Sequence, residues 1–110
     1  MLHPSTQSEC PDLTLRLSGL MNEQHPAAVA AAQRAMAARP DRTQLLGRSG
    51  VRTMVVAGED DPLIARADTD AMAAALPGGR AVIIPNSAHL SNFERPAPFN
   101  EAVIRFVTGG

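Results

Sequence analysis

The sequence predicts an α/β fold in which two parallel strands are flanked by helices. Two short apolar segments rich in β-branched residues, VRTMVVAG at 51–58 and RAVIIP at 80–85, have the profile of parallel strands covered on both faces. Between them, ARADTDAMAAAL at 65–76 is long enough for a helix of about ten residues. Because strands joined by such a helix are nearly always parallel neighbours or near neighbours in one sheet, we expect the order strand, helix, strand, helix.

The first part of the chain is polar and has no clear period. In residues 1–24 the leucines of the patch LTLRLSGLM fit neither helical nor strand spacing. The pattern then sharpens, because Pro26 suits a first helical position and an alanine-rich run follows, which predicts a helix at 26–38. Asp41 is expected to cap one or two short helical turns in RTQLLG, with Gly47 as their end.

The second half of the chain has clear breaks between its elements. EDDP at 59–62 ends the first predicted strand, and PGG at 77–79 ends the helix that follows. PAP at 96–98 opens a last helix. One face of that helix is apolar, formed by Phe99, Val103, Phe106 and Val107. We therefore divide the chain into a polar N-terminal segment, 1–24, and a β-α-β-α unit, 25–110.

Length and charge limit the classes of function. A chain of 110 residues is the size of one small domain, which hides only roughly two-thirds of the surface of its unfolded chain. Ten basic and eleven acidic side chains give a net charge of -1, and no basic run is long enough to follow a phosphate backbone. We therefore expect no nucleic-acid partner.

Cysteine content and hydropathy indicate where the protein works. The single cysteine, Cys10, has no partner in the chain, and no Cys/His cluster has the spacing of metal ligands, which suits a reducing cytoplasm. No segment resembles a signal peptide, and no apolar run approaches the ~20 residues of a membrane span. We expect a cytoplasmic protein with no membrane partner.

Asp61 and His89 are the candidate catalytic residues. Each lies just beyond the carboxyl end of a predicted strand, and 28 residues separate them. In an open parallel sheet these strand ends form the edge where ligands bind, so one βαβ unit places both residues on adjacent loops. A carboxylate beside an imidazole fixes its tautomer and orients the ring, which are the conditions that a general base requires.

A family resemblance rests on the same residues. VRTMVVAGEDDP and GGRAVIIPNSAHLSNFERPAPFNEAVIRFV resemble the final strands and helix of an α/β-hydrolase, in its esterase and lactonase branch. In that family a strand ending in G-x-x-D carries the triad acid, and the loop after the next strand carries the triad histidine. The resemblance implies that Asp61, three residues after Gly58, is the acid and that His89 is the histidine. Ala88 stands where the family usually has glycine.

The resemblance extends over most of residues 26–107 and implies a C-terminal fragment of the fold. AMAARPDRTQLLG is similar to the stretch that leads from the family's lid into the core, so residues 1–24 are interpreted as a lid remnant. The family's serine lies in G-x-S-x-G between a strand and a helix, and this chain has no such motif. The nearest match, GRSG at 47–50, precedes a strand, and other serines have less support, among them Ser5, Ser18, Ser87 and Ser91.

These features predict acid and base without the nucleophile-bearing half of the domain. Since loss of the nucleophile costs on the order of 10⁶ in turnover, the isolated chain is expected to be inactive or nearly so. A sheet cut between strands exposes apolar edge and face, so we expect a homo-oligomer or a complementing N-terminal hydrolase chain. The complete domain would act on a small-molecule ester or lactone, and no cofactor is implied. The alternative is a non-catalytic, self-associating α/β module.

Other interpretations of these residues stay open at this point. Asp61 would also serve as a helix N-cap or a solvated loop acid. Asp60 and Asp61 together resemble a magnesium-binding pair, although such sites usually include a lysine and this chain has none. His89 alone would be read as a loop histidine bonded to the backbone.

The remaining histidines and the methionines are expected to be structural. His3 and His25 are predicted to face solvent. Methionines are predicted to fill irregular gaps in the core, since their side chains are flexible and apolar. This prediction covers Met21, Met36, Met54 and Met72.

Overall fold

The structure is a computed structural model that describes residues 1–109. Its helices and strands follow one another in a simple order. Four helices come first: α1 (Pro4–Glu9), α2 (Pro11–Asn22), α3 (Pro26–Ala38) and α4 (Thr43–Arg48). Strands and helices then alternate: β1 (Met54–Gly58), α5 (Arg66–Ala75), β2 (Arg80–Ile84), α6 (Ser91–Glu94) and α7 (Pro96–Val107). No helix within 1–109 has both the length and the apolar character that crossing a membrane requires.

The two strands form a parallel pair, which confirms the predicted α/β class with flanking helices. Met54 is paired with Arg80 at the start of the ladder, and Gly58 with Ile84 at its end. Helix α5 connects the strands and packs on both of them, and α7 packs on β2. The carboxyl ends of β1 and β2 therefore lie side by side.

The first strand is shorter and more exposed than the sequence predicts. It begins at Met54, and Val51 lies outside it with 63% of its surface exposed. From Met54 to Ala57 the residues are half-buried, and only Gly58 is buried. The apolar composition suits a strand between two neighbours, whereas the described residues provide β1 with one partner strand.

The N-terminal helices explain why residues 1–24 have no clear period. Helices α1 and α2 pack on each other, but α2 buries none of its residues. A helix without a buried face has no reason to repeat apolar residues every three or four positions. The helix predicted at 26–38 is present as α3 with the same bounds, and it too buries no residue. Proline in the first turn marks the start of α1, α2, α3 and α7.

Several of the most buried residues lie in or next to the loop that follows β2. Ile84 and Ala88 are each 1% exposed, and Ser87 is fully buried. The prediction that the methionines fill the core is wrong for Met21, Met36 and Met72, which are 57%, 52% and 40% exposed. These side chains lie on helices whose outer faces have no neighbouring layer to fill.

Contacts beyond the strand ends join the two loops that carry Asp61 and His89. The N–H of Glu59 donates to the carbonyl of Ile84 at 2.9 Å, and the N–H of Asp60 donates to the carbonyl of Ser87 at 3.0 Å. Gly58 lies against the backbone carbonyls of Ser87 and Ala88, where a Cβ would overlap both. Glycine at position 58 is therefore required for the close approach of the two loops.

Replacement of Gly58 by alanine tests this close approach. Because the new methyl group meets two carbonyl oxygens of fixed backbone, we expect Gly58→Ala to lower the free energy of unfolding by about 3 kcal/mol or more. Urea denaturation followed by circular dichroism measures the change. Gly19→Ala in α2 is the matched control, since its Cβ meets nothing within 4 Å. It should stabilise the chain by about 1 kcal/mol through helix propensity, and equal effects of the two variants would contradict the steric argument.

Candidate active site

The loops after β1 and β2 bring Asp61 and His89 together. Asp61 Oδ2 lies 3.0 Å from His89 Nδ1. The Asp61 side chain is 8% exposed, whereas that of His89 is 37% exposed. The carboxylate thus lies behind the ring and the ring faces outward, so Asp61 engages Nδ1 and leaves Nε2 as the nitrogen available to a reactant. This geometry suits a general base oriented by an acid.

The second oxygen of Asp61 stabilises its own loop. Oδ1 accepts the backbone N–H of Leu63 at 2.8 Å and that of Ile64 at 3.2 Å. Asp61 therefore caps the turn at 61–64, whereas Ala65 is the N-cap residue of α5. The cap of this turn and the contact with His89 are compatible, because each uses a different oxygen. These two hydrogen bonds from backbone N–H groups fix the plane of the carboxylate that His89 contacts.

Opposing effects act on the pKa of Asp61. Burial raises this pKa. The hydrogen bond from His89, the N–H groups of Leu63 and Ile64, and the charge of His89 together lower the pKa by more than burial raises it. The pKa of Asp61 therefore lies below its ordinary value of 3.8, and the side chain is ionised at neutral pH. An ionised acid is what the imidazolium form of His89 requires as its partner.

A second histidine–aspartate pair, which the sequence did not reveal, lies next to the first. His3 Nε2 is 2.9 Å from Asp60 Oδ2, and the His3 side chain is only 17% exposed. The prediction that His3 faces solvent is wrong, because α1 folds back onto the loop after β1. Asp60 thus turns to His3, whereas Asp61 turns to His89. Within residues 1–109 no three His, Cys, Asp or Glu side chains are grouped so as to hold a metal ion.

Ser5 lies beside this second pair, in the first turn of α1, whose N-cap is His3. Its Oγ is 2.7 Å from His3 Nδ1, and its backbone N–H donates to the same nitrogen at 3.0 Å. Arg95 Nη2 donates to Ser5 Oγ at 3.0 Å. The single lone pair of His3 Nδ1 is therefore engaged by the backbone that it caps, which weakens it as a base for the Ser5 hydroxyl. We assign His3 and Ser5 to the start of α1.

Comparison with solved structures places this architecture among known folds. An esterase from Thermogutta terrifontis, solved with malate bound, superimposes with a TM-score of 0.92 at 29% identity, over 99% of this chain and 40% of its own. Est816, described as an N-acyl homoserine lactone degrading enzyme, gives 0.76 at 25% identity, over 96% of this chain and 42% of its own. Carboxylesterase CesB from Bacillus subtilis gives 0.57 at 26% identity, over 66% and 26%. No protein-family model matches the chain.

The fold is that of an α/β-hydrolase over part of its length, as the sequence resemblance implies. Two of these neighbours are esterases and one degrades lactones, which agrees with the esterase and lactonase branch inferred from the sequence. The chain spans less than half the length of each of them.

Substitution of Asp61 tests the acid–imidazole pair. Asparagine keeps an acceptor for the turn but directs N–H toward His89 Nδ1 or leaves that nitrogen unpaired, so Asp61→Asn should lower the free energy of unfolding at neutral pH by about 2 kcal/mol. Because the pKa of Asp61 is lower in the folded chain, this stabilisation is complete above its unfolded value near 3.8 and is lost as pH falls further.

Urea titrations between about pH 5 and about pH 1 measure that dependence. The difference between the wild-type chain and Asp61→Asn should shrink toward the acid end of the range. Asp60→Asn is the matched control, since its side chain is 55% exposed and its effect should be smaller. A difference that stays constant down to the acid limit would contradict the ionised pair.

Proposed function

We propose that this chain supplies the acid and the base of an ester or lactone hydrolase whose serine lies outside these 110 residues. The observation that supports the proposal is the 3.0 Å contact between Asp61 and His89 on loops that follow two parallel strands. The sequence has no G-x-S-x-G motif, and the backbone N–H of Ser5 occupies the His3 nitrogen that faces the Ser5 hydroxyl. Acid and base are therefore assigned to this chain, and the nucleophile to a segment outside these 110 residues.

The proposed reaction uses the two nitrogens of His89 differently. Nε2 takes the proton of the nucleophilic serine as the serine oxygen attacks the ester carbonyl, and Nδ1–H remains bonded to Asp61. The imidazolium then gives that proton to the departing alkoxide, which leaves as an alcohol. Water repeats the sequence on the acyl-enzyme and releases the acid. In a lactone, the alcohol and the acid are the two ends of one product.

The substrate class is a carboxylic ester or a lactone. The Thermogutta terrifontis and Bacillus subtilis neighbours are described as esterases, and Est816 as an enzyme that degrades N-acyl homoserine lactones. Both reactions are acyl transfers from oxygen to water, so one arrangement of acid and base serves both. No cofactor is required by this mechanism. We place the reaction in the cytoplasm, as the single Cys10 favours a reducing compartment.

The exposed surface supports a role that requires a partner. The chain has an accessible surface of 7583 Å², whereas a folded monomer of 11.6 kDa exposes about 5,800 Å². The excess is larger than the about 800 Å² that each partner buries in a standard interface. A groove of about 770 Å³ between α3, α4 and α5 is lined in part by Met36, Leu45 and Met72, which are all exposed.

A second candidate function is a non-catalytic module that associates with itself. The same excess of exposed surface favours it, since a second copy of this chain would cover apolar side chains equally well. The two candidates differ in what has to be supplied from outside these 110 residues. The hydrolase proposal requires a serine, whereas the module requires only apolar area.

Mixing this chain with a hydrolase chain that carries G-x-S-x-G but lacks the acid and histidine tests the proposal. We expect neither chain alone to release p-nitrophenol from p-nitrophenyl acetate, and the mixture to do so. His89→Ala or Asp61→Asn should lower the rate of the mixture by about 10⁴. His25→Ala is the matched control, since its ring only caps α3. A mixture that binds but stays inactive would favour the module.

The assembly of the isolated chain is a further prediction. Because the excess surface is apolar in part, we expect a homodimer or a larger assembly at micromolar concentration. Light scattering coupled to size exclusion measures the mass. Met36→Glu together with Leu45→Glu should shift the mass toward 11.6 kDa if the groove is the contact. Val107→Glu, an exposed apolar position on α7, is the control and should leave the mass unchanged. A monodisperse wild-type monomer would contradict self-association.

A further inference from the structure

Glu94 is a buried acid that the proposed reaction does not use. It lies at the end of α6, five residues after His89, and only 4% of its surface is exposed. Burial of a carboxylate is costly unless its oxygens accept hydrogen bonds. The contacts of Glu94 therefore indicate why an acid occupies this position.

Each oxygen of Glu94 accepts one backbone N–H, and the two come from opposite ends of the chain. Oε1 accepts the N–H of His3 at 2.6 Å, and Oε2 accepts the N–H of Ala88 at 2.8 Å. Ala88 directly precedes His89, and it is itself 1% exposed. The carboxylate thus holds the backbone from which the base projects, and the short distances are those of charge-assisted bonds.

The segment of residues 1–3 completes a ring of contacts around His89. The N–H of His89 donates to the carbonyl of Met1 at 3.1 Å, and Leu2 is buried with 8% exposure. The ring runs from Glu94 to His3, along the chain to Met1, across to His89, and back through Ala88 to Glu94. Both peptide N–H groups that precede the imidazole, those of Ala88 and His89, are therefore fixed by this ring.

Arg95, which follows Glu94 in the sequence, donates its hydrogen bonds to other groups. Arg95 Nε donates to the carbonyl of Asn86 at 2.9 Å, and its Nη2 donates to Ser5 Oγ at 3.0 Å. Arg95 thus supports the same two segments from outside the ring. The two N–H groups meet different oxygens of Glu94, both of which are acceptors in a carboxylate, whereas glutamine would present an NH₂ group to one of them.

We propose that Glu94 is a positioning residue for His89, acting through the N–H groups of Ala88 and His3. This role deepens the proposed function, because it concerns the base of the same site. Residues 1–3 belong to this support, so the polar N-terminal segment contributes to the orientation of the catalytic imidazole. Loss of one Glu94 oxygen as an acceptor should release the His89 backbone and loosen the contact between His89 and Asp61.

Nuclear magnetic resonance of the full chain carrying Glu94→Gln tests this proposal without any partner or substrate. In the wild-type chain the ring ¹⁵N shifts of His89 should report Nδ1 as the protonated nitrogen of the neutral ring. In Glu94→Gln these shifts should move toward those of free histidine, and the amide of Ala88 or His3 should exchange with solvent at least about tenfold faster. Glu101→Gln is the matched control, since Glu101 is exposed on α7 and its carboxylate pairs with Arg105, away from His89.

A second pair of variants tests the ring of hydrogen bonds around His89 if Glu94→Gln fails to fold. His3 has a φ of -63°, which proline adopts, so His3→Pro removes the N–H that Glu94 accepts. His3→Ala keeps that N–H but, like His3→Pro, loses the contacts of the His3 imidazole. We expect the His89 ring shifts to move in His3→Pro but not in His3→Ala.

Each outcome decides between positioning and general stability. If amide exchange rises in Glu94→Gln while the His89 ring shifts stay as in the wild type, Glu94 only stabilises the fold and the proposal is wrong. Equal ring shifts in His3→Pro and His3→Ala would also overturn it. The proposed hydrolase function can fail independently, because an inactive mixture leaves the ring shifts of the isolated chain unaffected.

Discussion

The parallel pairing of β1 and β2, continued past the ends of the strands, is the constraint on which the site depends. Two further backbone hydrogen bonds, from Glu59 to Ile84 and from Asp60 to Ser87, extend the pairing of the strands into the loops. Gly58 allows the loops to approach because it has no Cβ. Asp61 and His89 are then adjacent as a result of backbone geometry, and the contact between their side chains is its last step. A change in register by one residue would separate them.

Much of this arrangement was predictable from the sequence, and the rest depended on contacts between distant segments. The strands, the connecting helix and the placement of Asp61 and His89 follow from apolar runs, breaks and the rule that parallel strand ends share an edge. The pair of His3 with Asp60 was not predictable, since they are 57 positions apart in the sequence and neither carries a local signal. Helix α2 was hidden for another reason: it buries no residue, so its sequence has no apolar period.

The exposed apolar side chains are another feature in which composition and structure differ. The composition of β1 and the methionines of α3 and α5 suit an interior, yet the described residues leave them half-buried or exposed. Apolar side chains in such positions are typical of surfaces that contact another polypeptide. The interior of the site, by contrast, is already dense around Ile84, Ser87 and Ala88. The part of the chain next to His89 is thus densely packed, whereas the apolar side chains of β1, α3 and α5 are half-buried or exposed.

The adjacent aspartates carry one more consequence. Asp60 and Asp61 are neighbours in the chain, and each faces a different imidazole, one at the amino terminus and one after β2. Inserting a single amino acid directly after Gly58 would therefore move Glu59 to the position of Asp60 and Asp60 to that of Asp61, and each ring would meet the wrong carboxylate. Deleting Glu59 would instead move Pro62 to the position of Asp61 and leave His89 without its acid. The length of this loop is thus under tighter constraint than its composition.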